Sequence, residues 1–340
     1  MSERFQVTTR LAARLEELGV SPLEVLRHAG LREDLLEPPR VLVSTEELFA
    51  LWRGIGAISR DPAIGLRLGS EETIEQYEPI AIAALCARSS SDSLERIARY
   101  KQLTCPEKIE ITRGQRESAV QFRWLLAQEA APGILTDLCF SWILTILRRG
   151  TGESIVPLRV ELNRPAEHHQ IYSQFFSASV QFSAGRDALI FRTEDIERPF
   201  RTHNPELLAM VAPALEEELT RRSAQQSVPE RVRRIVQARL AGRRPILREV
   251  ARELKMSVRT LQRRLLEHGA TFQQVVEDAR RELAKHYLVH SPLELHETAY
   301  LLGYEDANSF VRAFHTWEGM PPAHWRATQR GFQGVETRVS

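Results

Sequence analysis

Hydrophobic periodicity predicts an α+β N-terminal domain followed by an all-α domain, built from two helix-turn-helix motifs joined by a long helix. Three observations carry that prediction. Strand-like alternation is confined to the middle of the chain, from about Lys108 to Arg192. A polar stretch without apolar periodicity, Arg221–Pro229, reads as a linker closed by a proline. Beyond it every signal is helical, and the helical pattern occurs twice.

The N-terminal elements follow in order. Leu11, Leu15 and Leu18 recur at helical spacing, and Ser21-Pro22 opens a second short helix ending near Gly30. Ser44 and Glu47 form a capping-box pattern ahead of Leu48, Leu51, Trp52 and Ile55, predicting a third helix. Asp92-Ser93 is expected to start a further helix, with Leu94, Ile97 and Tyr100 along one face. Lys108–Arg113 and Ser118–Leu126 flank Arg113-Gly114-Gln115 as a hairpin. Ile134–Leu147 is apolar on several sides and reads as a buried helix. Pro157–Leu162 and Ala188–Arg192 read as strands, with a short helix at Ile171–Phe176 between them. Pro205–Arg222 closes the domain as a charged helix that Pro213 is expected to kink or restart. The expected division is residues 1–220, a linker over 221–230, and a second domain over 231–330.

In that second domain Leu247, Val250, Ala251, Leu254 and Met256 reappear 48 residues later as Leu295, Thr298, Ala299, Leu302 and Tyr304. After one extra residue, Ser257, Val258, Leu261, Arg263 and Leu265 reappear as Asp306, Ala307, Phe310, Arg312 and Phe314. A small residue, a short turn and a capped amphipathic helix are what a helix-turn-helix needs, placing the motifs at residues 247–267 and 295–317. With Ser257 as N-cap, Val258, Leu261 and Leu265 point inward and leave Arg259, Thr260, Gln262 and Arg263 outside. With Asp306 as N-cap, Ala307, Phe310, Phe314 and Trp317 point inward and leave Asn308, Ser309, Arg312 and His315 outside. Arginine pairs bidentately with guanine, and glutamine with adenine, from a helix in the major groove. Between the copies, Phe272, Val275, Val276, Ala279, Leu283 and Tyr287 make one stripe of a spacer helix about 27 Å long. Such a spacer would set two recognition helices about one DNA turn apart, roughly 34 Å. Double-stranded promoter DNA is the expected partner.

Charge agrees. The net charge of +1 hides 19 Lys/Arg against 13 Asp/Glu from Val228 to Ser340. Arg231–Ala270 alone holds 12 basic residues against three acidic ones, an electrostatic footprint for nucleic acid. Thr271–Met320 holds 4 basic against 8 acidic, so the first copy should supply most of the phosphate attraction.

These residues resemble the AraC/XylS family of bacterial transcription regulators. The resemblance rests on Val250-Ala251-x-x-Leu254-x-Met256-Ser257-x-Arg259-Thr260-Leu261-x-Arg263. It extends to Ala299-x-x-x-Gly303-Tyr304-x-x-x-Asn308-Ser309-Phe310-x-Arg312-Ala313-Phe314, then Gly319-Met320-Pro321-Pro322 and Trp325-Arg326. Thr298 departs from a position usually held by a bulky aliphatic residue, which is expected to loosen the second motif; Tyr300 occupies one commonly charged or polar. The N-terminal part is similar to the arabinose-binding-like domain of the ornithine-regulator type. That similarity lies in Leu26-x-x-Ala29-Gly30-Leu31, Asp61-Pro62-x-Ile64-Gly65-Leu66-Arg67-Leu68-Gly69, and Phe175-Phe176 before Val180-x-Phe182. It implies a domain that binds a small effector, dimerises, or both, in a protein that contacts RNA polymerase as an activator.

Enzyme chemistry finds no foothold in the sequence. There is no G-x-S-x-G, H-E-x-x-H or G-K-[ST] pattern, and Gly54-Ile55-Gly56 lacks a third glycine. The three cysteines, Cys86, Cys105 and Cys139, form no C-x-x-C pair, and His286, His290 and His296 read as ordinary helix histidines, so no metal or cofactor is expected. Pro79–Ala87 and Leu138–Leu147 are far shorter than the roughly 20 residues of a membrane span, and Met1–Arg10 lacks an apolar leader core, so a cytoplasmic protein is expected. Tyr77, Arg88, Trp124 and His168 are candidate walls of an effector pocket, with core packing or a solvated surface as the alternative for each. Two rival readings stay open: an N-terminal domain that only dimerises, and a metabolite-binding protein or enzyme with a vestigial DNA-binding tail.

Overall fold

A computed structural model describes residues 5–7, 10–37, 41–70, 78–104, 107–124, 131–225, 227–240, 243–290 and 293–328. The chain divides into two compact units, Met1–Leu219 and Thr220–Ser340.

The first unit begins with β1 (Phe5–Val7), α1 (Leu11–Glu17), α2 (Pro22–His28), β2 (Val41–Val43) and α3 (Thr45–Ile58). β1 and β2 pair antiparallel. The Ser44 hydroxyl accepts from the Glu47 amide at 3.2 Å while the Glu47 carboxylate accepts from the Ser44 amide at 2.8 Å, completing the expected capping box. Next come α4 (Ile64–Gly69), α5 (Pro79–Leu85), α6 (Ser90–Tyr100), β3 (Glu107–Arg113), β4 (Glu117–Trp124) and α7 (Gly133–Thr151). α6 starts at Ser90, two residues before the expected Asp92-Ser93, because it is Ser89 whose hydroxyl caps the Asp92 amide. Then come β5 (Arg159–Leu162), α8 (His169–Phe176), β6 (Ser179–Phe182), β7 (Ala188–Arg192), α9 (Thr193–Ile196) and α10 (Pro205–Gln225), whose last residues lie past the unit boundary.

Five strands form one sheet in the order β3-β4-β7-β5-β6, antiparallel except for the β5–β6 pair. Ile111, Val120, Leu189, Val160 and Val180 stand in register across it and turn one face toward α7. Leu135, Phe140, Ile143, Leu144 and Leu147 of α7 are buried there, and the Phe140 ring lies 5.1 Å from that of Phe122. α7 is crowded on its other side by α4. A Cβ on Gly69 would lie 2.3 Å from the Leu138 carbonyl oxygen, so this close crossing requires glycine. The opposite sheet face carries Arg159, which donates to Glu117 and Glu161, and Arg186, which also donates to Glu161.

Two expectations are corrected near the boundary. Of the kink or restart expected at Pro213, the restart does not occur: α10 runs from Pro205 through Gln225. Leu208, Val211, Leu215 and Leu219 pack onto Ile80, Ala83, Tyr100 and Leu103 on both sides of the proline, outweighing the lost backbone hydrogen bond. The linker expected over 221–230 is largely helical. α10 takes its first residues, and α11 (Val228–Arg239) begins at once behind the N-cap Ser227, with Pro229 in the first turn where proline is tolerated.

The second unit continues with α12 (Leu247–Glu253), α13 (Val258–Glu267), α14 (Phe272–His290), α15 (Leu295–Leu301) and α16 (Ala307–Glu318), and residues 322–328 are helical. Its core is shared. Val232, Val250, Leu261, Val276, Leu302 and Phe314 all belong to one buried cluster. Among the described residues, no helix is long and apolar enough to cross a membrane.

Candidate nucleic-acid interface

α13 is held at its start by Ser257, whose hydroxyl accepts from the Thr260 amide at 3.1 Å and lies 2.8 Å from the Thr260 hydroxyl. Leu261 and Leu265 are fully buried against α11 and α12, and that fixes the rotation of the helix. Arg259, Gln262 and Arg263 are consequently exposed along the opposite face. Arg263 stands 3.6 Å from Glu267, beyond hydrogen-bond reach, and its side chain is 70% exposed. Arg264 on α13, and Arg248 and Arg252 on α12, are also exposed. The sequence reading passed over these three, although the basic run around them was the available signal.

α16 repeats the device with an acidic cap. Asp306 accepts from the Ser309 amide at 2.8 Å and from the Ser309 hydroxyl at 2.7 Å, and Arg312 donates to that hydroxyl at 3.2 Å. Hydrogen bonds from Ser309 hold the Asp306 carboxyl below its usual range. Phe310 and Phe314 are buried, and Asn308, Arg312 and His315 are exposed. The nine residues singled out from the sequence thus fall into two groups. Ser257, Thr260 and Ser309 are engaged in capping, and the other six project from the helices they stabilise.

Neighbouring positions prove to be scaffold. Trp325 packs against Phe314 at 5.6 Å, and Arg326 donates to the Leu293 carbonyl at 2.7 Å. Thr298 is fully buried with its hydroxyl donating to the Glu294 carbonyl at 3.0 Å, so its polar atom is satisfied. Tyr300 is 66% exposed. Arg280 of α14 is buried over the Tyr304 ring and donates to the carbonyls of Leu302 and Gly303.

Of the four effector-pocket candidates, the side chains of Arg88 and His168 are among the described residues. Arg88 is exposed and pairs with Asp92 in the loop before α6, and His168 is exposed ahead of α8. Tyr77 and the Trp124 side chain lie outside the described residues; the Trp124 backbone pairs with Glu107. Two buried polar clusters that the sequence reading missed occupy the interior instead. Asp137 of α7 accepts from Arg164 and from the Tyr172 hydroxyl, with the Arg164 guanidinium 5.0 Å from the Tyr172 ring centroid. Burial and the adjoining Asp137 push the Tyr172 hydroxyl pKa up. Glu107 lies beside Lys101 and Cys139, and burial pushes its carboxyl up. Asp137 is 27 residues from Arg164, and Glu107 is 32 from Cys139, so these contacts leave no local pattern to read.

Both units are similar to known proteins. Residues 19–200 match the family described as "Arabinose-binding domain of AraC transcription regulator, N-term", and residues 250–328 match "Helix-turn-helix domain". The chain is 29% identical to the ornithine utilization regulator of Pseudomonas aeruginosa, over 91% of this chain and 92% of that protein. It is 27% identical to the HTH-type transcriptional regulator VirS of Mycobacterium tuberculosis, over 92% and 93% respectively. Among solved structures, the transcriptional regulator CdpR from Pseudomonas aeruginosa matches at 24% identity with a TM-score of 0.43, covering 90% of this chain and 96% of that one. With matched profiles extending through both units and over more than half its length, the chain belongs to the AraC family of DNA-binding transcription regulators.

Proposed function

We propose that this chain is a cytoplasmic activator that answers a small effector and reads two successive major grooves of promoter DNA. The observation that carries the reading is the pairing of α13 and α16: two capped helices on one core, each with polar side chains projecting from its free face. Arg259, Gln262 and Arg263 are assigned to base edges of one groove, and Asn308, Arg312 and His315 to the next. α14, with 19 residues and about 28 Å of length, suits a separation of one DNA turn. Residues 1–220 are assigned to sensing and dimerisation, and 231–330 to DNA. The similarity of residues 19–200 to an arabinose-binding domain supports an effector, and the relative named for ornithine utilization puts amino acids first among candidates. Leu207 and Met210, 38% and 77% exposed on α10, favour a homodimer. RNA polymerase is the partner through which an activator acts.

The test begins with duplexes selected from a random library by the full-length protein, followed by hydroxyl-radical footprinting. Two protected patches about 10 base pairs apart on one face are expected. A single patch would overturn two-groove reading. Thermal unfolding of the full chain against amino acids, aromatic acids, sugars and fatty acids addresses the effector. A ligand at a hundred times its Kd stabilises by about 2.7 kcal/mol. Silence across the whole panel would favour an N-terminal domain that only dimerises.

A further inference from the structure

The second helix-turn-helix is fastened to the spacer by one buried guanidinium. Arg280, near the middle of α14, is 8% exposed. Its Nε donates to the Leu302 carbonyl at 2.9 Å, its Nη2 donates to the Gly303 carbonyl at 2.9 Å, and its guanidinium carbon lies 4.4 Å from the Tyr304 ring centroid. Leu302, Gly303 and Tyr304 are the turn between α15 and α16. The last carbonyls of a helix have no partner within it, and Arg280 supplies donors at this helix end. The same turn meets the segment leading into the first motif, since a Cβ on Gly303 would lie 2.6 Å from the Arg243 carbonyl oxygen. The turn is therefore held between α14 and the chain ahead of α12. Its counterpart in the first motif, Lys255, shares the left-handed backbone with φ 54° but is exposed to solvent.

We propose that Arg280 is the positioning residue that fixes α16 on the spacer, and so sets the base-pair spacing that the two recognition helices accept. The inference rests on the two-groove reading above. One inserted base pair turns the far half-site by about 35° and moves it about 3.4 Å. To follow, α16 must swing against α14, which breaks both hydrogen bonds and leaves the buried Leu302 carbonyl and the partly buried Gly303 carbonyl without these donors. Arg281 and Lys285 also reach α16, meeting Glu318 at 2.6 and 2.9 Å, but their side chains are 45% and 36% exposed and screened by solvent. Lysine at position 280 lacks the planar fork needed to hold two carbonyls while lying over a ring.

The full-length protein and its Arg280→Gln and Arg280→Lys variants are compared on the library-selected duplex and on derivatives with one base pair inserted or removed between the footprints. Wild type is expected to bind the altered duplexes at least about tenfold more weakly than the parent. The variants are expected to bind the parent less well, yet to bind altered and parent duplexes within about threefold of each other, with protection of the first half-site retained. Variants that keep the wild-type ratio, whether all affinities fall alike or none falls, overturn the proposal. So does loss of cooperative unfolding in both variants, which would make Arg280 a requirement of the fold alone. A wild-type footprint of one patch defeats the two-groove reading itself, and that result is visible before any variant is compared.

Discussion

Glu107 and Lys101 meet inside the N-terminal domain with 3.7 Å between carboxylate oxygen and ammonium nitrogen, and the Glu107 side chain has no exposure to solvent. The other contact is the Cys139 thiol, at 3.8 and 3.9 Å. Charge-assisted hydrogen bonds run nearer to about 2.8 Å. Burial accordingly outweighs the lysine and raises the Glu107 pKa.

A stability profile follows from that shift. The unfolded chain releases this proton first, near about pH 4.3. The contribution of Glu107 is complete below that pH and is lost as pH rises through the higher folded-state pKa. Over that interval the slope is about 1.4 kcal/mol per pH unit for one proton. Glu107→Gln fixes the neutral form, so its melting temperature relative to wild type is expected to climb as pH rises from the unfolded carboxyl pKa through the higher folded-state one. A difference that stays constant over the range would show that Glu107 ionises as readily in the folded protein as in the unfolded one.

Arg263 is held on α13 only by a long, solvent-exposed ion pair with Glu267 at 3.6 Å, among the described residues. Arg263→Ala is expected to cost about 1–3 kcal/mol on the preferred duplex and to relax specificity at one base position. Binding titrations against single-base variants of the selected duplex measure this. An equal loss on every duplex would assign Arg263 to phosphate.

The two caps separate by pH. Ser257→Ala should destabilise the DNA-binding domain by about 1 kcal/mol at any pH, since a hydroxyl does not titrate here. Asp306, whose pKa is lowered, gives stability that is present above the unfolded carboxyl pKa and lost as pH falls through its folded value. Asp306→Asn keeps a capping oxygen and is expected to flatten that acid dependence. Urea unfolding at several acidic pH values distinguishes the two, and an unchanged profile in Asp306→Asn would count against the cap.

Gly303 and Gly319 have nearly the same backbone angle, φ 69° and 73°, in different surroundings. Nothing lies within 4 Å of a Cβ on Gly319, whereas one on Gly303 meets the Arg243 carbonyl oxygen at 2.6 Å. Gly319→Ala is expected to cost the left-handed penalty alone, about 1–2 kcal/mol. Gly303→Ala adds a backbone clash and should cost clearly more. Equal destabilisation in denaturant titrations would show that the turn gives way without resistance.

The DNA-binding half was legible because its determinants are local. A cap, a turn and apolar residues at helical spacing occur within about 20 residues of each other, twice. In the N-terminal half the sequence pattern located α1, α2, α3, α7 and α8, the β3–β4 hairpin, β5 and β7, where apolar spacing, a cap or a β-rich run is present locally. The short pair β1 and β2, the six-residue α4 and the four-residue β6 escaped notice, because their identity depends on partners distant in sequence. At Pro213 the helix does not restart, because Leu208, Val211, Leu215 and Leu219 pack on both sides of the proline. Arg280 was read as one more positive charge. Only the fold reveals that its donors are spent on a turn 22 residues downstream.

The two copies of the motif share one buried cluster, in which α14 contributes Val275, Val276, Ala279, Leu283, Ala284 and Leu288. This gives the duplication a one-way character. A chain ending after α14 would strip Ala299, Leu302, Phe310 and Phe314 from that cluster and bare apolar surface to water. Neither half is then a spare that can be deleted or transplanted by itself. A recombination event that kept only one copy would break into that shared cluster, so substitutions in either half are expected to be better tolerated at positions facing outward.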